Sequence, residues 1–167
     1  MTDRTRTHSW EDPAPTLAAV AGSPGLLLLE SLARGELPAP PIMSTLGFEG
    51  FTVGPGWARF SMTPAEHHYN PIGSVHGGVA ATLLDSAMGC AVHSTLDAGV
   101  GYTTVDLQIS FVRPLTSTTG RVSCEASVVH VGSRVATAEG RIVDANGKLY
   151  AHGTTTCLIL RTEPIAS

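Results

Sequence analysis

The stretch from Tyr69 to His93 constrains the fold of this chain more than any other part of the sequence. Apolar residues recur in it at helical spacing, and most of the other positions are small. The apolar stripe comprises Val79, Leu83, Ala87 and Ala91, widened by Ala80, Leu84, Met88 and Val92. Because little polar face remains, the pattern predicts a buried helix that other backbone approaches from several sides. A helix wrapped by a β-sheet meets both conditions.

The start of this helix and one residue in its middle are chemically unusual. Ser74, His76 and the paired glycines Gly77 and Gly78 lie where backbone N–H groups lack helical partners, at the positive end of the helix dipole. Such a position favours an oxyanion. Asp85 lies among apolar neighbours, where an ionised carboxylate is costly unless it is hydrogen-bonded or used in chemistry. The simpler interpretation, that Asp85 faces water or bonds to a strand, stays open.

The spacing of Gly77 and Asp85 predicts an oligomer. The two residues are eight positions apart, which is about 12 Å of rise and about 80° of rotation on a straight helix. One reacting carbonyl therefore cannot contact both residues of a single helix. If the Gly77 amide polarises a carbonyl on which Asp85 acts, the two come from different subunits, and the chain forms an obligate dimer with two composite sites.

The same stretch resembles the signature of a known family. Asn70, Gly73, His76-Gly77-Gly78, Thr82-Leu83-Leu84-Asp85 and Ala87-Met88-Gly89 are similar to the PaaI-like acyl-CoA thioesterases. The resemblance extends from about Thr45 to Leu160. It implies an α+β hotdog fold, in which a long antiparallel sheet curls round one central helix and two sheets join edge to edge. It also implies a homodimer that assembles further into a homotetramer, a dimer of dimers.

The resemblance assigns roles to several of these residues. Gly77 supplies the oxyanion amide, Asn70 helps to hold the thioester or the water, and Asp85 of the other subunit is the nucleophile or general base. Asn70 precedes Pro71, so turn geometry alone also explains it. His76 receives a supporting role beside Asn70, because a histidine at a helix start more often fixes a loop than carries a proton.

The head of the next strand offers a residue to position the attacking water. Resemblance to related enzymes makes Thr103 or Thr104 the candidate, although an ordinary strand threonine explains either one equally well. A thioester carbonyl needs little activation, so one carboxylate and a strong oxyanion site suffice. Consistently, the chain contains no G-x-S-x-G motif.

Coenzyme A carries a 3′-phosphate and a diphosphate, which favour arginine. Arg134, and after it Arg113, are the candidates, because both lie at predicted strand ends. Ser133 and Gly78 complete the predicted substrate-binding set. A solvated charge at a strand end is the alternative explanation of each arginine. No separate cofactor is predicted, since coenzyme A is part of the substrate.

The cysteines and the paired histidines predict neither a metal site nor a disulfide framework. Cys90, Cys124 and Cys157 match no zinc spacing and are odd in number, so we expect reduced core residues. His67-His68 have no acidic or cysteine partner at ligand spacing, which favours a solvated or capping role.

Length and composition predict one domain, residues 45–161, behind an N-terminal extension, residues 1–44. Within the extension we expect loose order over Met1–Gly22, a short helix at about 24–34 and an extended connector through Pro38–Pro41. The hydrophobic share is 43% and the charged share 14%, which is consistent with surface buried in an oligomer.

Charge and segment patterns narrow the partners and the compartment. A formal net charge of −4 without a basic cluster makes nucleic acid a weak candidate. No apolar segment follows the first arginines, and Leu26–Leu29 is too short to span a bilayer. We therefore expect a cytoplasmic protein.

The remaining periodicity is that of strands. Leu46–Val53 and Trp57–Met62 flank a Gly54-Pro55-Gly56 turn. Four more strands follow the helix, and we expect them to form a meander. In the first of these, Val105, Leu107, Ile109 and Phe111 are predicted to share the buried face. The others are Arg121–Val131, Ser133–Val143 and Lys148–Leu160.

The resemblance to the PaaI-like family, together with the residues that carry it, implies an acyl-CoA thioesterase that releases a free acid and coenzyme A from an aryl or aliphatic thioester. Two alternatives stay open. One is an acyl-thioester dehydratase or hydratase of the same fold, in which a histidine is the base. The other is a module that binds acyl-CoA without turnover.

Overall fold

The computed structural model describes residues 3–161. Three helices come first, α1 (Ala14–Gly22), α2 (Gly25–Ala33) and α3 (Pro41–Leu46), followed by strands β1 (Phe48–Gly54) and β2 (Trp57–Met62). A short 3-10 turn at Glu66–His68 leads to the long helix α4 (Gly77–His93). Four strands complete the chain: β3 (Val100–Phe111), β4 (Val122–Val131), β5 (Val135–Asp144) and β6 (Leu149–Arg161).

Helix α4 is the centre of the core. All eight residues of its predicted apolar stripe are buried. The strands form one six-stranded sheet in the order β1-β2-β4-β5-β6-β3, in which every neighbouring pair is antiparallel. Helix α4 packs against all six strands. This architecture confirms the predicted α+β hotdog arrangement of an antiparallel sheet round a central helix.

The expected four-strand meander is wrong for its first member. Strands β4, β5 and β6 follow one another through hairpins, but β3 pairs with β6 at the far edge of the sheet. The segment between β3 and β4 therefore returns across the molecule. Turn residues in the sequence specify hairpins between neighbours, whereas the partner of β3 is decided by packing on α4.

A β-bulge interrupts β3 between Thr104 and Asp106. Before the bulge, Tyr102 and Thr104 face the helix, and after it Leu107 and Ile109 do so. The predicted alternation is therefore right for Leu107 and Ile109 but wrong for Val105, the extra residue, which is 58% exposed. It is also wrong for Phe111, the last residue of the strand, which is 60% exposed. The bulge absorbs one residue, so both halves of the strand keep an inward face.

The N-terminal residues are more ordered than predicted. Residues 14–22, expected to be loose, form α1, and Pro41 opens α3 instead of ending an extended connector. The helix expected at about 24–34 is found as α2. The Gly25 N–H donates to the Leu96 carbonyl over 2.9 Å. A Cβ at Gly25 would collide with the carbonyl oxygen of His93, so α2 lies directly on the end of α4.

Contacts at the other end of α4 also hold the N-terminal residues. The Arg4 guanidinium binds the Glu66 carboxylate, and Arg6 donates to the carbonyls of Ser44 and Thr45 at the end of α3. The boundary between extension and domain at residue 45 stays a prediction. None of the helices within residues 3–161 has the length and hydropathy needed to cross a membrane.

Candidate active site

Asp85 lies half-buried in the middle of α4, and its carboxylate is held by a strand residue. Thr104 Oγ1 donates a hydrogen bond to Asp85 Oδ1 over 2.9 Å. The bulge in β3 is responsible, because a regular strand with Leu107 inward would turn Thr103 toward the helix instead. Both threonines line an open cleft beside Asp85, but the hydrogen bond is made by Thr104.

Asp85 also lines a cavity of about 560 Å³. Polar groups of Asp85, Ser86, Tyr102 and Thr104 lie on the wall formed by α4 and β3. Helices α2 and α3 and strand β1 supply mostly apolar residues on the other side, including Leu29, Leu32, Met43, Phe48 and Phe51. The carboxylate therefore lies beside a space that suits an apolar group.

The two glycines at the start of α4 differ in what their amides bind. The Gly78 N–H donates to Nδ1 of His76 over 2.9 Å, so His76 is the N-cap of the helix. For the Gly77 N–H, no acceptor is found among the residues that the structure describes. A free N–H at the positive end of a helix is a suitable oxyanion donor, which singles out Gly77 from Gly78.

Gly77 is also confined by a neighbouring ring. A Cβ at this position would lie 3.1 Å from Cζ of Phe111, at the end of β3. Any side chain here would press on that ring and change the access to the amide. Gly77, Asn70 and Phe111 line one cavity of about 330 Å³, which does not include Asp85. Within one protomer, the candidate oxyanion donor and the candidate base therefore face different spaces.

Asn70 organises the loop that leads into α4. Its Oδ1 accepts hydrogen bonds from the N–H groups of Ile72 and Ser74, and its Nδ2 donates to Ser74 Oγ over 3.2 Å. The turn-forming alternative for Asn70 is thus realised. One hydrogen of Nδ2 remains for a ligand, and Asn70 lines the same cavity as Gly77.

The two candidate arginines lie at opposite ends of β3. Arg113 lines the cavity of Gly77 and Asn70, and its guanidinium donates to the Leu149 carbonyl over 2.6 Å. Ser133 and Arg134 are exposed in the β4–β5 turn, and the Arg134 carbonyl accepts from the N–H of Ile159. Ile159 is paired with Tyr102 near the start of β3. One protomer therefore does not bring Arg113 and Arg134 together.

Tyr102 and Gly89 form a contact that the sequence did not reveal. A Cβ at Gly89 would lie 2.8 Å from Oη of Tyr102. Gly89 is one helical turn after Asp85, so the tyrosine ring fills the space beside the carboxylate. Tyr102 lines both the large cavity and the open cleft, and thus forms part of the wall between them. The sequence signal that could have indicated this contact is a glycine one helical turn after an acidic residue.

Cys90 and the histidines contribute no alternative nucleophile or metal ligand set. Desolvation, with a smaller effect of the Asp85 carboxylate, raises the pKa of Cys90 to about 12, so its thiol stays protonated. His68 caps a turn by accepting from the Ala65 N–H and donating to the Leu46 carbonyl. Within residues 3–161, no three His, Cys, Asp or Glu side chains are grouped to bind a metal.

Comparison with known proteins supplies the family. The thioesterase superfamily model matches residues 72–151. Acyl-coenzyme A thioesterase 13 of Homo sapiens is 32% identical over 107 residues, which are 63% of this chain and 74% of that protein. The chain belongs to the thioesterase superfamily. This confirms the predicted family.

Two further comparisons show how much of this member of the thioesterase superfamily is similar to known proteins in fold and in sequence. The Escherichia coli PaaI protein has the same fold, with a TM-score of 0.70 at 22% identity over 83% of this chain and 95% of that chain. A provisionally named esterase of Halobacterium salinarum is 48% identical over 73 residues, or 42% of this chain. The chain spans about half, 46%, of the length of that curated relative.

Proposed function

We propose that this protein is an acyl-CoA thioesterase that hydrolyses an acyl- or aryl-CoA thioester to a free acid and coenzyme A. The observation that carries the proposal is the Asp85 carboxylate, which is oriented by Thr104 and lies beside an apolar cavity. A carboxylate beside such a cavity costs free energy unless it is hydrogen-bonded or used, and the Thr104 hydroxyl binds one of its two oxygens. The family to which the chain belongs gives that use, since its members act on thioesters.

The exposed edge of β3 supports a dimer with shared sites. Among the described residues, this 12-residue strand pairs on one side only, with β6. Val105 and Phe111 are 58% and 60% exposed there. A long unpaired edge of this kind is normally covered. Antiparallel pairing of two β3 edges across a two-fold axis gives one continuous sheet and covers both edges.

The same pairing would complete the active site. Thr104, next to Asp85, lies in the first half of β3, and Phe111, next to Gly77, is its last residue. Antiparallel pairing brings the first half of one strand alongside the second half of the other. Asp85 then faces Gly77 of the partner subunit, and Arg134 approaches Arg113 of the partner subunit. Two such dimers associate into a tetramer in this proposal, and the protein acts in the cytoplasm.

The chemistry follows from these positions. The thioester oxygen accepts a hydrogen bond from the Gly77 N–H, which stabilises negative charge in the tetrahedral intermediate. Asp85 either takes a proton from the attacking water, or attacks the carbonyl carbon itself to form a mixed anhydride, which water then hydrolyses to release the acid and free Asp85. Coenzyme A leaves as the thiolate and is then protonated. Thr104 orients the carboxylate, Asn70 holds the loop and can bind the water or the thioester, and no separate cofactor takes part.

His76 disfavours the dehydratase alternative. Its Nδ1 accepts the Gly78 amide, so the ring is engaged in capping α4. In the proposed enzyme His76 therefore supports the oxyanion site and is not the base.

Release of free thiol from a panel of acyl-CoA substrates tests the function. Purified protein is expected to release coenzyme A stoichiometrically with the acid, and the specific activity is expected to fall when the protein is diluted below its dimer dissociation constant. A protein that gains thermal stability on adding acyl-CoA but releases no thiol is a binding module. That result would overturn the proposal.

A further inference from the structure

We infer that the cavity beside Asp85 is an acyl pocket for an uncharged apolar acyl group, and that helices α2 and α3 set its length. This inference rests on the proposed thioesterase function and concerns the substrate of the same site. We call α2 and α3 together the roof. The roof residues of the cavity are Leu29, Leu32 and Ala33 from α2, and Ile42 and Met43 from α3.

The distribution of polar groups orients the substrate. Asp85, Ser86, Tyr102 and Thr104 lie on the α4–β3 side, and the Asp85 carboxylate marks where the thioester carbonyl must react. The roof contributes only apolar side chains. An acyl group with its carbonyl at Asp85 therefore extends toward the roof and β1. Each methylene buried there is favoured by roughly 0.8 kcal/mol relative to water.

Beside the roof, strands β1 and β2 give the cavity an aromatic wall. Phe48, Phe51 and Phe60 line the cavity, with ring centroids 4.5 Å apart for Phe51 and Phe60 and 5.9 Å apart for Phe48 and Phe60. These packed rings fit either an aryl or an alkyl group.

The only other charged residue that lines this cavity within the described part of the chain is Glu49. Its carboxylate lies 3.4 Å from the Arg121 guanidinium. The lining offers no free cation, so an acyl group that ends in a carboxylate, such as succinyl, is left without a partner and is excluded.

The roof lies outside the region that the family model matches. Residues 25–46 precede the family match, which begins at residue 72. The extension nevertheless packs on the core, because Leu28 and Leu29 are each 3% exposed. Acyl specificity is therefore assigned to the extension, whereas the reacting groups come from α4 and β3.

The test compares kcat/KM for hexanoyl-CoA and dodecanoyl-CoA in the full chain. Ala33→Trp fills the roof end, and its matched control is Ala18→Trp, on α1, because both alanines are exposed and only Ala33 lines the cavity. Ala33→Trp is expected to lower the dodecanoyl-to-hexanoyl ratio about tenfold or more, a change within the range of pocket discrimination. Met43→Ala is expected to raise the ratio, and Ala18→Trp to leave it unchanged.

Binding measured without turnover separates this inference from the proposed function. In the Asp85→Asn background, calorimetry with the same two acyl-CoA esters and with succinyl-CoA is expected to reproduce the length preference and to show at least tenfold weaker succinyl binding. An unchanged length preference in folded Ala33→Trp and Met43→Ala proteins, or succinyl-CoA binding as tightly as hexanoyl-CoA, would overturn the acyl pocket. Absence of thiol release from the parent protein with intact length-dependent binding would overturn only the hydrolase.

Discussion

Thr104 Oγ1 lies 2.9 Å from Asp85 Oδ1, so a strand hydroxyl orients the carboxylate in the middle of the buried helix. If that carboxylate is the base or nucleophile, removing its charge removes the chemistry. Asp85→Asn keeps the shape and an acceptor for Thr104, and is expected to reduce kcat by at least about 100-fold, the scale of general-base catalysis. Asp97→Asn, at an exposed loop residue, should retain normal turnover. Near-normal turnover of Asp85→Asn, measured by thiol release, would refute the assignment.

Substitution of the two threonines distinguishes their roles. Thr104→Val removes the hydroxyl that donates to Asp85 and is expected to lower kcat about tenfold, since a hydrogen bond to a charged group is worth about 1.5–3 kcal/mol. Thr104→Ser keeps the hydroxyl and should restore most of the rate. Thr103→Val should change kcat less than Thr104→Val. A larger effect at Thr103 in steady-state kinetics would transfer the positioning role to that residue.

Gly89→Ala should destabilise the protein, although alanine is the better helix former by about 1 kcal/mol. The new Cβ would lie 2.8 Å from Tyr102 Oη, and overpacking costs about 1–3 kcal/mol. Urea unfolding is expected to show a net loss of about 1 kcal/mol. Adding Tyr102→Phe should recover part of it. Gly22→Ala, at the last residue of α1 with nothing near its Cβ position, is the control and should cause no loss of stability. Equal stability of Gly89→Ala and parent would contradict the contact.

Acidification should destabilise the fold through His68. Desolvation is the main cause that lowers the pKa of His68 below 6.5, and its Nδ1 accepts the Ala65 N–H only while it is unprotonated. The stabilising contribution is therefore complete above the unfolded pKa of about 6.5 and is lost as the pH falls through the folded pKa. Desolvation lowers the pKa of His93 as well, so its protonation at low pH also destabilises the fold.

Urea unfolding between about pH 8 and pH 5 measures this dependence. His68→Gln should flatten the acid side of the stability curve. His152→Gln, at an exposed strand position, is the control variant. A slope that is identical in parent and His68→Gln would exclude His68 as a source.

A charged substitution at the edge of β3 tests whether this edge forms the proposed dimer interface. Val105→Glu places two like charges near the proposed two-fold axis and is expected to raise the dimer dissociation constant about tenfold or more. Val129→Glu is the matched control, because Val129 lies at a bulge of β4 and is similarly exposed, at 62%. Sedimentation equilibrium gives the dissociation constants. Dimers of equal strength in both variants would place the interface elsewhere.

Local patterns explain which parts of the fold were predictable. The α4 stripe and the strands after it are periodic because each buries one side or more, so their existence follows from the sequence. Helix α1 was not predicted because it has no buried residue, and its sequence therefore carries no apolar stripe at helical spacing. Helix α3 was missed because Pro41 occupies the first turn, where proline also starts helices.

The site was predictable only in part, because local patterns reveal unusual residues but not the contacts between distant segments. Asp85 and Gly77 stood out because they break the local pattern of the helix. The bulge that selects Thr104 over Thr103 depends on pairing with β6, about 50 residues later in the chain. The contact between Gly89 and Tyr102 and the roof of the cavity also join distant segments, and no local rule specifies them.

The close packing of Gly25 on the end of α4 has a consequence for how substrate preference could change. Even one methyl group at Gly25 would clash with the His93 carbonyl. Because Gly25 is the first residue of α2, relieving the clash would tilt the helix and move Leu29 and Leu32, which line the cavity. A position that contacts neither the acyl chain nor the carboxylate would thus change which acyl chain lengths the pocket accepts. Relatives with a larger residue there would be expected to accept differently sized acids while keeping the same chemistry.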